Sequence, residues 1–349
     1  METMTSRERV LAALARKPVD RPPVSNPTSV ATVDLMDMVD AYFPQANQDP
    51  EMNARLAATE YTELGFDSIM PYFTIIQESS ALGCEMQWEG KDNWPTVRMT
   101  RPIWQGPGDV RIPRDILKHR DMVAITRSIE ILREEFGNEV AIIGKTMGPW
   151  TLAYHVFGVE KFLLMSIDDP AMTMETLHKL KELSVLFGDA QIAAGADALT
   201  FPDHATGDLV SGEYYKRFLL EIHQEMAERL KAPLILHICG NTLDRLDYIA
   251  QSNMAAFHFD SKNDPAEAMA IAKGRIALVG NLNNPQTLYA RGPAEVRAEV
   301  FKCMDAGVDM IAPECAIPLA TKLENLLEIP RAVRAWMQQH PKNGAAKKA

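Results

Sequence analysis

A closed (β/α)8 barrel is the fold class this sequence predicts, on three observations. Short apolar runs alternate with stretches of helical period from end to end, the pattern of parallel β/α units. Eight such runs occur. The chain has 349 residues, 46% hydrophobic and 24% charged, which is the size and composition of one large α/β domain.

The elements follow in order. "TSRERVLAAL" predicts a short N-terminal helix, because Thr5 and Glu8 have capping-box spacing and Val10, Leu11 and Leu14 share one face. The first four strands are expected in "PPVSNPTS" (22–29), "FDSIMPYF" (66–73), "VAIIGKTM" (140–147) and "ADALTFPDH" (196–204). The last four are expected in "APLILHICG" (232–240), "AAFHFD" (255–260), "RIALVGNL" (275–282) and "GVDMIAPEC" (307–315). Helical period fills the intervals, as in "YYKRFLLEIHQEMAERLKA" and "AEVRAEVFKCMDAG", the second stopped by Gly307 as a C-cap. One departure is an insertion after the second strand, at about 80–138, where "CEMQWEGKDNWPTVRMT" alternates like a hairpin before helices resume. Residues 1–340 form a single domain on this reading, and the basic tail "PKNGAAKKA" (341–349) a disordered, solvated end.

Bulk numbers narrow the function. A net charge of −11 argues against nucleic acid and anionic membrane surfaces, both polyanions. No apolar run is long enough to cross a membrane, and charges interrupt the N-terminus where a signal peptide would need an apolar core. Four scattered cysteines make no disulfide framework, so a reducing cytoplasm is the expected setting, with thiols free for chemistry or metal.

Barrel chemistry sits at the C-terminal ends of the strands. The residues there are Asn26, Tyr72, Lys145, Asp203, His204, His237, Cys239, Asp260, Asn281, Glu314 and Cys315. In "LILHICGN" (234–241), His237 and Cys239 lie two apart and so share a strand face. Leu234, Leu236 and Ile238 form the apolar face that belongs against helices, which turns His237 and Cys239 inward. Taken alone, the pair reads rather as a core histidine beside a small buried hydrophobe. With Cys315 on the same rim it becomes a one-nitrogen, two-sulfur donor set suited to zinc, with the fourth tetrahedral position open as in catalytic sites.

The remaining rim residues each have two readings. Asp203 is either a substrate-orienting carboxylate or a helix cap, and Asn281 either a group near the site or turn chemistry. Lys145 is either a lysine snorkelling at the rim or the cation that an anionic substrate group meets. Cys84 and Cys303 read as core packing, and His258 as a core histidine one layer below the site or a partner to it.

Several segments resemble, in order, the methylcobamide:coenzyme M methyltransferases of the uroporphyrinogen decarboxylase superfamily: "ARKPVDRPPV", "GPWTLA", "LILHICGNT", "FDSK" and "VGNLNNP", with a late Cys315. The resemblance spans nearly the whole chain, and its most specific part is His-x-Cys with the late cysteine. It implies a uroporphyrinogen decarboxylase-like barrel holding zinc through His237, Cys239 and Cys315. It further implies that zinc presents coenzyme M, or a similar small thiol, as a thiolate that attacks the methyl group of a methylcobamide. Asp260 matches the family position where a carboxylate fills zinc's fourth site before the thiol arrives. A separate corrinoid protein is the expected methyl donor, because the Asp-x-His-x-x-Gly signature for cobalt's lower ligand is missing and "DHATGD" (203–208) has the wrong spacing. The decarboxylase branch fits poorly: it carries arginines after its first strand for an acidic tetrapyrrole, whereas "SNPTSVATVDLMDMVDAYF" has none and three aspartates. A different acceptor thiol, or a non-catalytic member whose zinc is closed by Asp260, are the competing readings.

Overall fold

The computed structural model describes residues 2–341, so the tail expected to be disordered lies, after Pro341, outside the described residues. The strands are β1 (Ser68–Ile69), β2 (Met86–Gln87), β3 (Thr96–Val97), β4 (Ala141–Lys145) and β5 (Ala198–Pro202), then β6 (Leu234–Ile238), β7 (Ala256–Phe259), β8 (Ala277–Leu282) and β9 (Met310–Pro313). Seven of them form one all-parallel sheet in the order β1-β4-β5-β6-β7-β8-β9. Helices connect each strand to the next, and the residues of β4 to β9 are all buried.

The first expected strand, 22–29, is reduced to a single bridge, Val24 to Ile311. Pro22, Pro23 and Pro27 lack N–H donors, so this stretch cannot sustain a ladder. What it does make reaches both edges of the sheet. Ser25 N donates to Ile311 O at 3.1 Å and Ile311 N to Pro23 O at 2.9 Å, while Asp67 N, next to β1, donates to Val24 O at 2.6 Å. The proline-rich segment therefore lies between β9 and β1, where the eighth stave was expected.

At the N-terminal ends of the strands the polar core is ionic. Asp67 meets Arg9 at 2.7 Å and Arg21 at 2.6 Å, and its Oδ2 also accepts from Val24 N at 2.8 Å. Asp20 pairs with Arg9 at 2.7 Å and accepts from Thr3 and Met4 N–H groups. The helix Ser6–Leu14 that carries Arg9 has the expected capping box from Thr5 and Glu8.

Between β1 and β4, β2 and β3 pair antiparallel as the alternation in 84–100 predicted. The helix Arg120–Phe136 then packs on Pro50–Thr62 and on β4, returning the chain to the sheet. Among the described residues no helix is long and apolar enough to cross a membrane.

Candidate metal centre at the mouth of the barrel

β6 delivers His237 and Cys239 as its parity requires. Leu234, Leu236 and Ile238 are buried on the helix side, and the His237 ring lies over that of His258 with centroids 4.6 Å apart. The chain must turn immediately afterwards, and Gly240 does so with φ +80°. A Cβ there would sit 2.3 Å from Thr206 Oγ1 and 2.6 Å from Asp208 Oδ2, so a larger residue would have to displace both side chains as well as adopt a left-handed backbone. The opposite wall comes from β9. Glu314 accepts from Asn284 N at 2.8 Å and Ser261 N at 2.9 Å, and the Cys315 carbonyl accepts from Asn26 and Asn284, both at 3.1 Å. This bonding fixes where the Cys315 side chain stands.

Three donors converge there. His237 Nε2 lies 3.1 Å from Cys239 Sγ and 3.5 Å from Cys315 Sγ, and the two sulfurs are 3.4 Å apart. His237 Nδ1 donates to the His258 carbonyl at 3.2 Å, which puts the proton on Nδ1 and leaves Nε2 with a lone pair facing the sulfurs. Burial, reinforced by the neighbouring His258 and His204, holds His237 neutral. Burial also pushes His258 down to about 4, and its Nε2 bonds Pro313 O at 2.7 Å. Between the thiols, Cys315 ionises first, because it accepts a hydrogen bond from Cys239, whose own pKa is raised in return.

A fourth donor stands beside them. His204 Nε2 is 3.7 Å from Cys239 Sγ, and donor atoms of His204, His237 and Cys239 all lie within 4.8 Å of one another, a grouping able to hold a metal ion. The uroporphyrinogen decarboxylase (URO-D) family model matches residues 5–336. Methylcobamide:CoM methyltransferase MtaA of Methanosarcina barkeri is 33% identical over 93% of this chain and 96% of its own. The methylated-thiol–coenzyme M methyltransferase of Methanosarcina mazei is 31% identical over 95% of this chain and 89% of its own. A solved methyltransferase from Methanosarcina mazei superposes with a TM-score of 0.92 at 30% identity, covering 96% of this chain and 99% of that one. The chain belongs to the uroporphyrinogen decarboxylase family, with the methylcobamide:CoM methyltransferases.

The other residues singled out from the sequence fall outside the donor cluster. Asp260 stands at the end of β7, but Oδ2 accepts from Gly240 N at 2.7 Å and Oδ1 from Lys262 N at 2.8 Å. It holds the turn after Cys239 against its own loop. Asp203 is fully buried: Oδ1 accepts from Thr151 N at 2.9 Å, at the start of the helix Pro149–Phe157, and Oδ2 bonds His223 Nε2 at 3.0 Å. Of its two readings, the cap is the one these bonds make. Asn281 donates to Asp260 O at 3.2 Å and Asn263 O at 2.8 Å while its Oδ1 accepts from Cys303 Sγ, so the amide ties the loop behind the site to the helix Pro293–Ala306. Lys145 does not snorkel. Its Nζ sits 4.5 Å over the Tyr72 ring and donates to Thr28 O at 3.1 Å inside the barrel. Burial lowers its pKa to about 7, against the opposing pull of Glu78 and Cys315. Cys84 and Cys303 are buried and free, and burial raises their thiols to about 12 and about 11.

Sequence reading placed His204 on the rim but gave it no role. The signal was its position at the end of β5 beside Asp203, yet its direction is set by Thr151, more than fifty residues earlier in the chain.

Proposed function

We propose that this protein moves a methyl group from a methylated corrinoid protein to a thiol, with coenzyme M as acceptor, at a zinc ion held by His237, Cys239 and Cys315. The observation that carries the reading is the convergence of one imidazole nitrogen and two sulfurs within 3.1–3.5 Å at the barrel mouth. A tetrahedral zinc with bonds of about 2.0 Å to nitrogen and 2.3 Å to sulfur sets its donors roughly 3.5–3.8 Å apart. The cluster needs to open by only a few tenths of an ångström. Family membership points the same way, since relatives named for methylcobamide and coenzyme M cover nearly the whole chain.

Zinc bound there would hold the substrate thiol as a thiolate while leaving its sulfur nucleophilic. The chain's own residues do the rest. His258 O keeps the His237 proton on Nδ1, so Nε2 stays available as a donor. Glu314 and Asn284 hold the Cys315 backbone, and Asp260 holds the Gly240 turn, so the two sulfurs keep their spacing without a ligand to organise them. Lys145 favours negative charge at Cys315 from inside the barrel, and it is the cation we assign to the anionic end of coenzyme M. Asp203 acts at one remove, by holding the helix start that supports His204.

The corrinoid donor is a separate protein docked over the mouth. Exposed Met38, Leu209 and Tyr289 stand on connections that leave the C-terminal ends of the barrel staves and give such a partner apolar purchase. Free thiols at the site suit a reducing cytoplasm. The test is cobalt substitution of the purified protein, titrated with 2-mercaptoethanesulfonate and with unrelated small thiols. A change in the ligand-field bands with the sulfonate-bearing thiol, and methylation of that thiol by methylcobalamin, are expected. Bands unmoved by any thiol would overturn the catalytic reading, and a response only to another thiol would replace the acceptor.

A further inference from the structure

We propose that His204 is a fourth protein ligand of this metal centre, completing a two-nitrogen, two-sulfur set in the resting protein and yielding its position to the substrate thiol. The inference rests on the zinc reading above and adds the residue that occupies the fourth position.

Three observations carry it. The first is distance: His204 Nε2 to Cys239 Sγ is 3.7 Å, against about 3.5 Å expected between nitrogen and sulfur on one tetrahedral zinc. His204 and His237 also approach edge to face, with centroids 5.6 Å apart, so the two imidazoles present separate edges to the same space. The second is orientation. Thr151 Oγ1 accepts the His204 backbone N–H at 2.8 Å and lies 3.5 Å from ring Nδ1 and from Pro202 O. With the hydroxyl proton directed to Pro202 O, an oxygen lone pair faces Nδ1–H, and Nε2 is left as the free donor aimed at Cys239. His237 is prepared in the same way by the His258 carbonyl. The third concerns the competitor. Asp260, the carboxylate that the family resemblance places in the fourth position, has one oxygen on Gly240 N and the other on Lys262 N. These two backbone bonds orient the carboxylate toward its own loop, whereas the contact of His204 Nε2 is with Cys239 Sγ.

The thiol then exchanges with His204 by breaking one metal–nitrogen bond and forming one metal–sulfur bond, its proton passing to buffer. Charge and coordination number both balance in that exchange, and no redox partner is needed.

X-ray absorption at the zinc edge of the zinc-loaded full chain reads this directly. We expect two sulfurs and two imidazoles in the wild-type protein, and two sulfurs, one imidazole and one light oxygen ligand in His204→Gln. Adding 2-mercaptoethanesulfonate to the wild type should raise the count to three sulfurs and leave one imidazole. One imidazole in the wild-type resting protein, or a His204→Gln spectrum that superposes on it, overturns the assignment. The wild-type count stands by itself even if His204→Gln does not fold, which circular dichroism would reveal. Wild-type protein that holds no zinc fails differently: it removes the zinc reading itself.

Discussion

The two ends of the barrel solve opposite problems with buried polar groups. At the N-terminal end, Asp67 is enclosed by Arg9, Arg21 and the Val24 N–H, so every charge meets its counter-charge inside the protein. At the C-terminal end, His237, Cys239 and Cys315 draw together within 3.1–3.5 Å, with His204 3.7 Å from Cys239, and none of the four supplies a fixed charge. The first arrangement is complete in itself and serves the fold. The second gathers donor atoms of the kind that can hold a metal ion, which is what makes it the candidate site. Breaking each end should therefore harm a different property.

The largest effect is expected at the top. Cys239→Ala and Cys315→Ala should lower zinc from one equivalent to a small fraction and reduce methyl transfer by roughly 10³-fold or more, since a Lewis-acid metal supplies several kcal/mol. Both variants should keep the far-UV spectrum of the parent, because neither thiol enters the ion-pair network or the strand ladders. Full zinc in both would remove His237, Cys239 and Cys315 from the metal.

Next comes the bottom. Asp67→Ala leaves Arg9 with Asp20 and Arg21 with only the partly exposed Glu2, and strands the Val24 N–H where the proline-rich segment meets the sheet. Removing one partner of a buried ion pair costs about 3–5 kcal/mol. Denaturant midpoints should show a loss of that size, while the protein that remains folded binds a full equivalent of zinc. A midpoint within about 1 kcal/mol of wild type would mean that the network is dispensable.

Acid should separate the two ends in sequence. His258 is pushed down to about 4 by burial, against about 6.5 in an unfolded chain. Its depressed value means that the unfolded state takes up a proton first, so stability falls as pH drops from about 6.5 toward 4. That contribution amounts to about 3 kcal/mol. For Asp20, burial would raise the carboxyl, but the Arg9 bond and the N–H groups of Met4 and Thr3 outweigh it and hold it well below the usual range. Its contribution is present above the unfolded value near 4 and is lost only at lower pH still. Unfolding midpoints from pH 7 to 3 should fall first through the upper window, which the buried His155, His204 and His237 share, and His258→Gln should make that window less steep without changing the lower one.

How far the sequence reached divides along the same line. β-strand parity placed His237 and Cys239 inward because period two is local, and Cys315 was found because a strand end needs only its own run. Asp203 was read only as one of two alternatives and Thr151 not at all, since a hydrogen bond spanning 52 residues joins them and no local pattern encodes it. Asn281 looked like a site residue for the same reason: its partners, Asp260 and Asn263, lie on the preceding connection. In "RKPVDRPPV" the family resemblance was legible, yet the structure puts Asp20 and Arg21 at the end remote from the metal donors, in the ionic core. The expected first strand failed on chemistry visible in the sequence itself, three prolines with no donor to give.

The smallest effect separates two roles for Asp260. As a holder of the turn, its carboxylate satisfies Gly240 N and Lys262 N. Asp260→Asn keeps the size and retains one acceptor oxygen, so a single backbone hydrogen bond is weakened or lost. That costs about 1–2 kcal/mol where the donor is buried and less where water can replace it. Lys262 N is near the surface and Gly240 N is not, so the amide should turn its oxygen to Gly240 and the cost should fall near the lower bound. With the turn preserved, zinc content and the zinc-edge spectrum should match wild type, and methyl transfer should fall less than about tenfold. A carboxylate acting as proton acceptor or metal ligand predicts otherwise, a loss of about 10²–10⁴-fold from general-base catalysis, or an altered ligand count. An altered ligand count in Asp260→Asn would return the fourth position to the carboxylate and take it from His204, while a rate loss with the count unchanged would make Asp260 the proton acceptor.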